Sequence, residues 1–463
     1  MGFLTLDIAG RALAAQQLAI EVSGNNLANA TTPGYRRETA NLVESPPFPD
    51  PALSGQPMGT GVSVSTVTRA TNAFLARAVR SQYGLTGQWQ TVSQNLTQIQ
   101  SLFQEPSSGG LAESLASFFS AWLTVSQNPT NLAARQAVLE QGTNLANLFH
   151  SMSRQILAEL QNVNQTVTSQ VAQINSLGSQ IAALNHQISI AQASGGPANT
   201  LLDQRGALLD QLSQLTQVSY TVSPASGALN VYLGSSPLVV NTQVDKLTTQ
   251  APSGSSPGML TPGWQVSPTQ FVALNPSSGA LKGSLDTWTH YLSYYLGQLN
   301  TLADNLGTAV NAVYANGSPS GQVYFTGLTG SATSAQTLAV NPNLTASQLV
   351  VSSSTNPGPG NGQNALAIAN LQNQAQTALG ATFSGYYTSL VGRVGVDGQN
   401  ANAQLTSSQA SLTALRNARQ GATGVDVNQA SIQLIAEQQG YVAAAKLVAV
   451  EQSTINSLLQ AVS

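Results

Sequence analysis

A chain of 463 residues is long enough for several domains, each with its own hydrophobic core. Only 7% of its residues are charged, the formal net charge is -3, and cysteine is absent. That balance excludes the basic stripe of a nucleic-acid binder, and the missing cysteine excludes disulfides, thiol catalysis and cysteine-based metal sites. The polar surface must come from Gln, Asn, Ser and Thr. A hydrophobic share of 42%, spaced periodically, separates the chain from disordered sequences of similar polarity.

The opening "MGFLTLDIAGRALAAQQLAIEVSG" has no basic leader and no unbroken apolar core, so no cleaved secretory signal is expected. No stretch approaches the roughly 20 apolar residues of a membrane span, so no membrane insertion is expected. Leu6, Gly10, Leu13, Gln17, Ile20, Gly24 and Leu27 alternate steps of four and three, which is one seam of a helix. Two glycines and a glutamine weaken that seam. A helix this short is marginal alone and is expected to fold only against a partner. It ends near Asn29: Pro33 pushes Thr32 out of the helical region, and Gly34 allows a tight turn. The run to Pro57 reads as a Pro-rich extended loop, and "GVSVSTVTR" as a short strand through Val62 and Val64.

Helical spacing covers 72–104. It resumes over 111–193, with a break at Asn128-Pro129 and a periodic seam from Ile156 to Ile188. Gly195-Gly196-Pro197 turns the chain into a further helix through Leu201, Leu208, Leu212 and Leu215. From Val218 the period changes to two, with strands at Tyr220–Val222, Leu229–Leu233 and Phe271–Leu274. Helix returns from Leu285 to Val313. The stretch 318–362 carries strand candidates at Val323–Phe325, Leu338–Val340 and Leu349–Val351. From Gln363 the chain is helical, with breaks expected near Gly380 and within "VGRVGVDGQ", and again from Ala401 to Arg419. In the last helix Leu434, Tyr441, Val448, Ile455 and Val462 recur every seven residues. Gln438, Ala445, Gln452 and Leu459 follow four on from each, so an a/d seam with glutamine defects is expected. Exposed, such a stripe is sticky, and the N-terminal helix is its candidate partner.

The fold class expected is mainly α with a β-rich insertion, a long helical-bundle rod, and N- and C-terminal helices paired as a coiled coil. The boundaries are 1–70 with 419–463 for a terminal axial domain, and 71–218, 284–317 and 362–418 for the rod. Residues 219–283 and 318–361 form a β-rich outer domain.

No residue set nominates catalysis. His150, His186 and His290 lie in separate helical patterns without a ligand partner at i+3 or i+4, so no metal is expected. "GSSPG" (254–258) matches a nucleophile-elbow pattern but lacks the strand before and the helix after. "GPGNG" (358–362) lacks the spacing of a phosphate loop. Asp203, Arg205 and Asp397 stand as isolated charges. Arg36-Arg37 reads either as a solvated pair or as a contact for a neighbour's acidic group. No enzyme and no cofactor is expected.

The stretch "SGNNLANATTPGYRRE" (23–38) carries a resemblance. A helix followed by N-N-(I/L)-A-N and T-x-G-(F/Y) resembles the N-terminal signature of the flagellar axial proteins: rod, hook and hook-associated. The signature maps onto Asn25, Asn26, Leu27, Ala28, Asn29, Thr32, Pro33, Gly34 and Tyr35. Residues 118–149, "LLDQRGALLDQLSQL" (201–215), "GQNALAIANLQ" (362–372) and the tail 424–462 resemble stretches of the hook–filament junction members. No G-x-G-(F/Y)-F element follows the first strands, which sets the chain apart from hook and distal rod proteins.

The resemblance implies an extracellular structural protein of the bacterial flagellum, exported unfolded by the type III apparatus and placed between hook and filament. It implies self-assembly into a ring of about eleven copies. It also implies hook protein and the second junction protein as neighbours, and an export chaperone on the C-terminal region. The assembly residues it nominates are the nine signature positions, joined on the last helix by Leu434, Gln438, Tyr441, Ala445, Val448, Ile455 and Leu459. A hook or distal rod protein, or a secreted helical surface adhesin, are the alternatives.

Overall fold

The computed structural model describes residues 2–50, 56–103, 109–196, 198–223, 226–252, 258–317, 321–355 and 357–462. Most of "GSSPG", together with Pro197, lies outside them. The helices are α1 (Gly2–Ala28), α2 (Ala73–Leu102), α3 (Leu111–Gln127), α4 (Leu132–Ala193), α5 (Asn199–Leu215) and α6 (Ala280–Asp286). A π-helical turn (Thr287–Leu292) then leads into α7 (Ser293–Ala315), followed by α8 (Ser334–Thr337), α9 (Gln363–Asn370), α10 (Phe383–Thr423) and α11 (Val427–Val462). Among the described residues no helix is long and apolar enough to cross a membrane.

The chain divides into two compact units. The first comprises 1–86, 173–247 and 408–463, and so contains both chain ends; the second comprises 87–172 and 248–407. In the first unit, strand β1 (Glu38–Glu44) occupies part of the expected loop. A short hairpin of β2 (Phe48–Asp50) and β3 (Gln56–Met58) follows. β1 then pairs antiparallel with β4 (Val62–Arg69), Glu38 opposite Arg69 and Glu44 opposite Val62. A register shift after Asn41 explains why β1 shows no clean alternation in sequence. A meander of β5 (Ser219–Val222), β6 (Leu229–Leu233), β7 (Ser236–Val240) and β8 (Gln243–Val244) buries Leu229, Val231 and Leu233. The end of α4 packs on that sheet at Gly178, where an added Cβ would stand 3.3 Å from Leu238.

The second unit holds the larger core. Phe118, Phe119 and Trp122 of α3 meet Tyr295 and Tyr314 of α7, Tyr324, Phe325 and Phe383 in one buried cluster. Its rings pack edge to face, as at Trp122–Tyr324 (5.3 Å) and Tyr324–Phe325 (4.7 Å). The unit also carries a sheet of β9 (Thr248–Gln250), β10 (Thr261–Ser267) and β11 (Gln270–Ala273). The strand candidates of 318–362 reduce to β12 (Phe325–Thr326) and β13 (Ala339–Val340), and Leu349–Val351 forms no strand.

The break expected in "VGRVGVDGQ" does not occur, because α10 runs unbroken through Gly392, Gly395 and Gly398. Each glycine costs about 1 kcal/mol in a helix. Tyr387, Leu390, Val394 and Ala401 nonetheless step along one buried face, and their burial outweighs that cost.

A recurring device compensates for the scarcity of charge. Asparagines inside helices turn both ends of their carboxamides to the backbone of another segment, as a strand neighbour would. Asn175 of α4 accepts from Leu247 N (2.8 Å) and donates to Leu247 O (2.9 Å). Asn185 does the same with Leu229, at 3.0 and 2.8 Å. Asn164, Asn300 and Asn311 grip loop segments in the same manner. A neutral amide satisfies a buried N–H and C=O together without the desolvation penalty of an ion.

Candidate functional site

The signature stretch closes α1 and delivers the chain to β1. Asn26 is buried and uses its carboxamide in that same manner: Nδ2 donates to Glu38 O (2.7 Å) and Oδ1 accepts from Glu38 N (2.8 Å). The Tyr35 hydroxyl donates to Asn26 Oδ1 (3.0 Å) and accepts from Asn25 Nδ2 (3.2 Å). Burial, with Glu38 and Asp203 nearby, pushes the Tyr35 phenol up to about 12, so it keeps the proton it donates. Asn29 Nδ2 donates to Asn25 O (3.1 Å), and Thr32 Oγ1 donates to Asn29 Oδ1 (3.2 Å). Gly34 makes the turn at φ +87°, a left-handed conformation, and lies against Ala207 of α5. Thr32 and Pro33 are exposed, Leu27 is half-buried and Ala28 faces solvent.

After the turn the chain is fastened from two distant places. Arg36 N donates to Asp203 Oδ2 (3.0 Å), its guanidinium pairs with the same carboxylate at 3.7 Å, and Arg69 completes the group. Arg36 also reaches Thr423 Oγ1 (3.3 Å), and Arg37 N donates to Thr423 O (2.9 Å) at the end of α10. Asp210, two turns on from Asp203, pairs with Arg80 (2.9 Å) and Arg419 (2.7 Å). Asp203 is therefore not an isolated charge, and Arg36 is engaged by Asp203 and Thr423 of its own chain rather than standing as a solvated pair with Arg37. Asp397 is likewise partnered, by Arg393 and the Tyr295 hydroxyl, each at 2.9 Å. These pairs join positions up to 387 residues apart, which no local spacing reveals.

α1 is covered on one side by β1 and β4 and on the other by α11. Its most buried residues are Ala9, Ala15, Ala19, Val22, Ser23 and Asn26, whereas Gly10 and Gln17 of the expected seam are exposed. Small side chains let two elements approach at once, so the covered face is rotated toward the alanines. On α11 the covered stripe runs through Leu434, Glu437, Gly440, Ala444, Val448, Glu451 and Ile455. At Gly440 an added Cβ would stand 3.0 Å from the Gln16 side chain. Gln438, Tyr441 and Leu459 are exposed and Ala445 is half-buried, so half of the heptad lies outside the pair. Val462 has no described side chain.

The far side of α11 stays apolar and open. Ile432, Ile435, Val442 and Val450 are 70%, 54%, 50% and 62% exposed. Isolated surface leucines and isoleucines are ordinary, but a helical stripe of them marks an interaction face.

The remaining sites carry no such organisation. His150 contacts Leu338 O at 2.9 Å, and His290 stands 3.3 Å from Asp286, four residues earlier. Among the described residues no three His, Cys, Asp or Glu side chains gather as metal ligands.

The family model for the flagellar hook-associated protein FlgK helical domain matches residues 96–325, and that for the flagella basal body rod protein matches 6–36. The chain is 28% identical to flagellar hook-associated protein 1 of Bacillus subtilis (strain 168), over 99% of this chain and 98% of that one. It is 29% identical to the Salmonella typhimurium protein of that name, over 66% of this chain and 55% of the other. The flagellar hook junction protein FlgK from Burkholderia pseudomallei shares the fold at a TM-score of 0.64 and 19% identity, over 74% of this chain and 99% of that structure.

Proposed function

Because the chain belongs to the flagellar hook-associated protein 1 family, we propose that it is the structural adaptor at the junction of hook and filament. Its work is geometric: subunits pack through the paired chain ends and match one lattice to the next. The observation that carries this reading is the α11 helix, covered by α1 on one side and apolar and exposed on the other. Among the described residues nothing covers that second face, and neighbouring subunits of a closed ring would supply the cover.

On this reading residues 1–70 and 419–463 form the assembly domain. The signature loop acts as an internal splint that sets the angle at which α1 leaves β1, and Ile432, Ile435, Val442 and Val450 join the assembly residues. The partners are further copies in a ring of about eleven, hook protein below, and the second junction protein above. A chaperone holds the C-terminal helix before export. The location is extracellular, on the flagellum, and no catalysis is assigned.

Electron microscopy of a deletion strain tests the reading. Hooks without filaments, with filament protein shed into the medium, are expected. Missing hooks would instead identify a rod or hook protein.

A further inference from the structure

The joint gathers more positive charge than it neutralises. Asp203 meets Arg36 and Arg69, and Asp210 meets Arg80 and Arg419, so each carboxylate faces two guanidiniums. Arg205, buried beside them, donates among the described residues to neutral oxygens, Asn185 Oδ1 and Gly227 O, both at 2.8 Å. Burial first, then Arg69 and Arg80, pull Arg205 down to about 10. Arg36 is lowered in the same way, by burial and then by Arg69 and Arg419. Crowded cations at a partly desolvated site favour any anion that can reach them.

Space for one is present. A cleft of about 800 Å³ opens between the 30–36 loop, α5 and the end of α10. Gly206 and Ala207 leave its α5 wall without bulk, and Arg36 and Arg419 line it beside the carboxylates they pair with, Asp203 and Asp210, so that with Arg416 the lining carries three guanidiniums against two carboxylates. Arg416 stands on its α10 wall, exposed, and among the described residues no side chain pairs with it. A guanidinium carries five N–H donors, so Arg36 and Arg419 retain donors beyond their present bonds.

We propose that this cleft is an oxyanion site, which takes a carboxylate or phosphate group held by Arg416 together with Arg36 and Arg419. Arginine forks suit both groups, through paired charge-assisted hydrogen bonds. The group arrives either as a free anion or as an acidic side chain of a neighbouring subunit; the second source rests on the junction reading above.

The test has two arms. In the first, the full chain is melted while inorganic phosphate replaces chloride at constant ionic strength. A saturable rise in Tm is expected, with apparent affinity about tenfold weaker in Arg416→Gln and largely kept in Arg416→Lys. Among the described residues Arg416 has no side-chain partner to lose, so without phosphate the variants should melt as the parent does. No phosphate effect on the parent, or an equal effect on Arg416→Gln, overturns the proposal whatever the protein's role. In the second arm Arg416→Glu is expressed in cells. Given the phosphate effect, bare hooks assign the site to a neighbour's carboxylate, and normal filaments assign it to a free anion.

Discussion

Asn26 and Glu38 are joined by two opposed hydrogen bonds, 2.7 Å from the Asn26 amide to Glu38 O and 2.8 Å from Glu38 N to Asn26 Oδ1. A helix side chain thus supplies the first rung of a strand. Asn26→Ala leaves a buried N–H and C=O without partners, at a cost of about 2 kcal/mol. Hydrogen exchange at the Glu38 amide should accelerate strongly. Asn26→Asp should lose the donated bond and keep the accepted one, giving an intermediate rate. Unchanged exchange in Asn26→Ala would mean that Asn26 does not hold the joint.

Asp203 is the carboxylate that Arg36 and Arg69 share, and all three side chains are less than a fifth exposed. Asp203→Asn strips two enclosed guanidiniums of their counter-charge and should destabilise the first unit by about 3 kcal/mol. Adding Arg69→Gln should recover part of that loss, since one stranded cation goes with it. Urea unfolding of the two single variants and the double checks this. A double variant as unstable as the sum of the singles would show that the residues are not coupled.

Glu159 of α4 is a buried acid whose Oε1 has no partner among the described residues, while Oε2 accepts from Asn162 (3.0 Å). Burial raises its pKa above the usual carboxylate value, against a smaller opposing effect of Asn162. The folded state therefore holds this proton more tightly than the unfolded chain does. The stabilisation this supplies is full below the unfolded carboxylate value and is lost as pH rises through the raised folded value. Glu159→Gln should stabilise the second unit at neutral pH by on the order of 1 kcal/mol, because the neutral amide avoids burying a charge. The gain should fade as pH drops through the carboxylate range. Thermal melts at neutral and acid pH decide, and an equal gain at both contradicts the assignment.

Helices were legible wherever burial is one-sided and long, as from Ile156 to Ile188. They were misjudged where packing overrides propensity, as at Gly392, Gly395 and Gly398 in α10. β1 leaves no strand signal in the sequence, because a register shift scrambles its alternation and because Leu42 and Val43 face solvent. Of the signature, the turn chemistry of Pro33 and Gly34 was readable, but not that Asn26 is consumed within its own chain. Asparagine is a poor helix former, so Asn26, Asn175 and Asn185 inside strongly periodic helices were a signal that each does something other than favour helix. The arginine–aspartate joint could not be read at all, since its members are scattered from Arg36 to Arg419.

On the proposed junction role, other subunits cover the open face of α11 at the hook tip. Ile432→Asp combined with Ile435→Asp tests it most directly, because both side chains point away from the α1-facing stripe. The purified double variant should melt as the parent does. Electron microscopy of cells carrying it should show hooks of normal length without filaments. Full-length filaments on such cells would contradict the account.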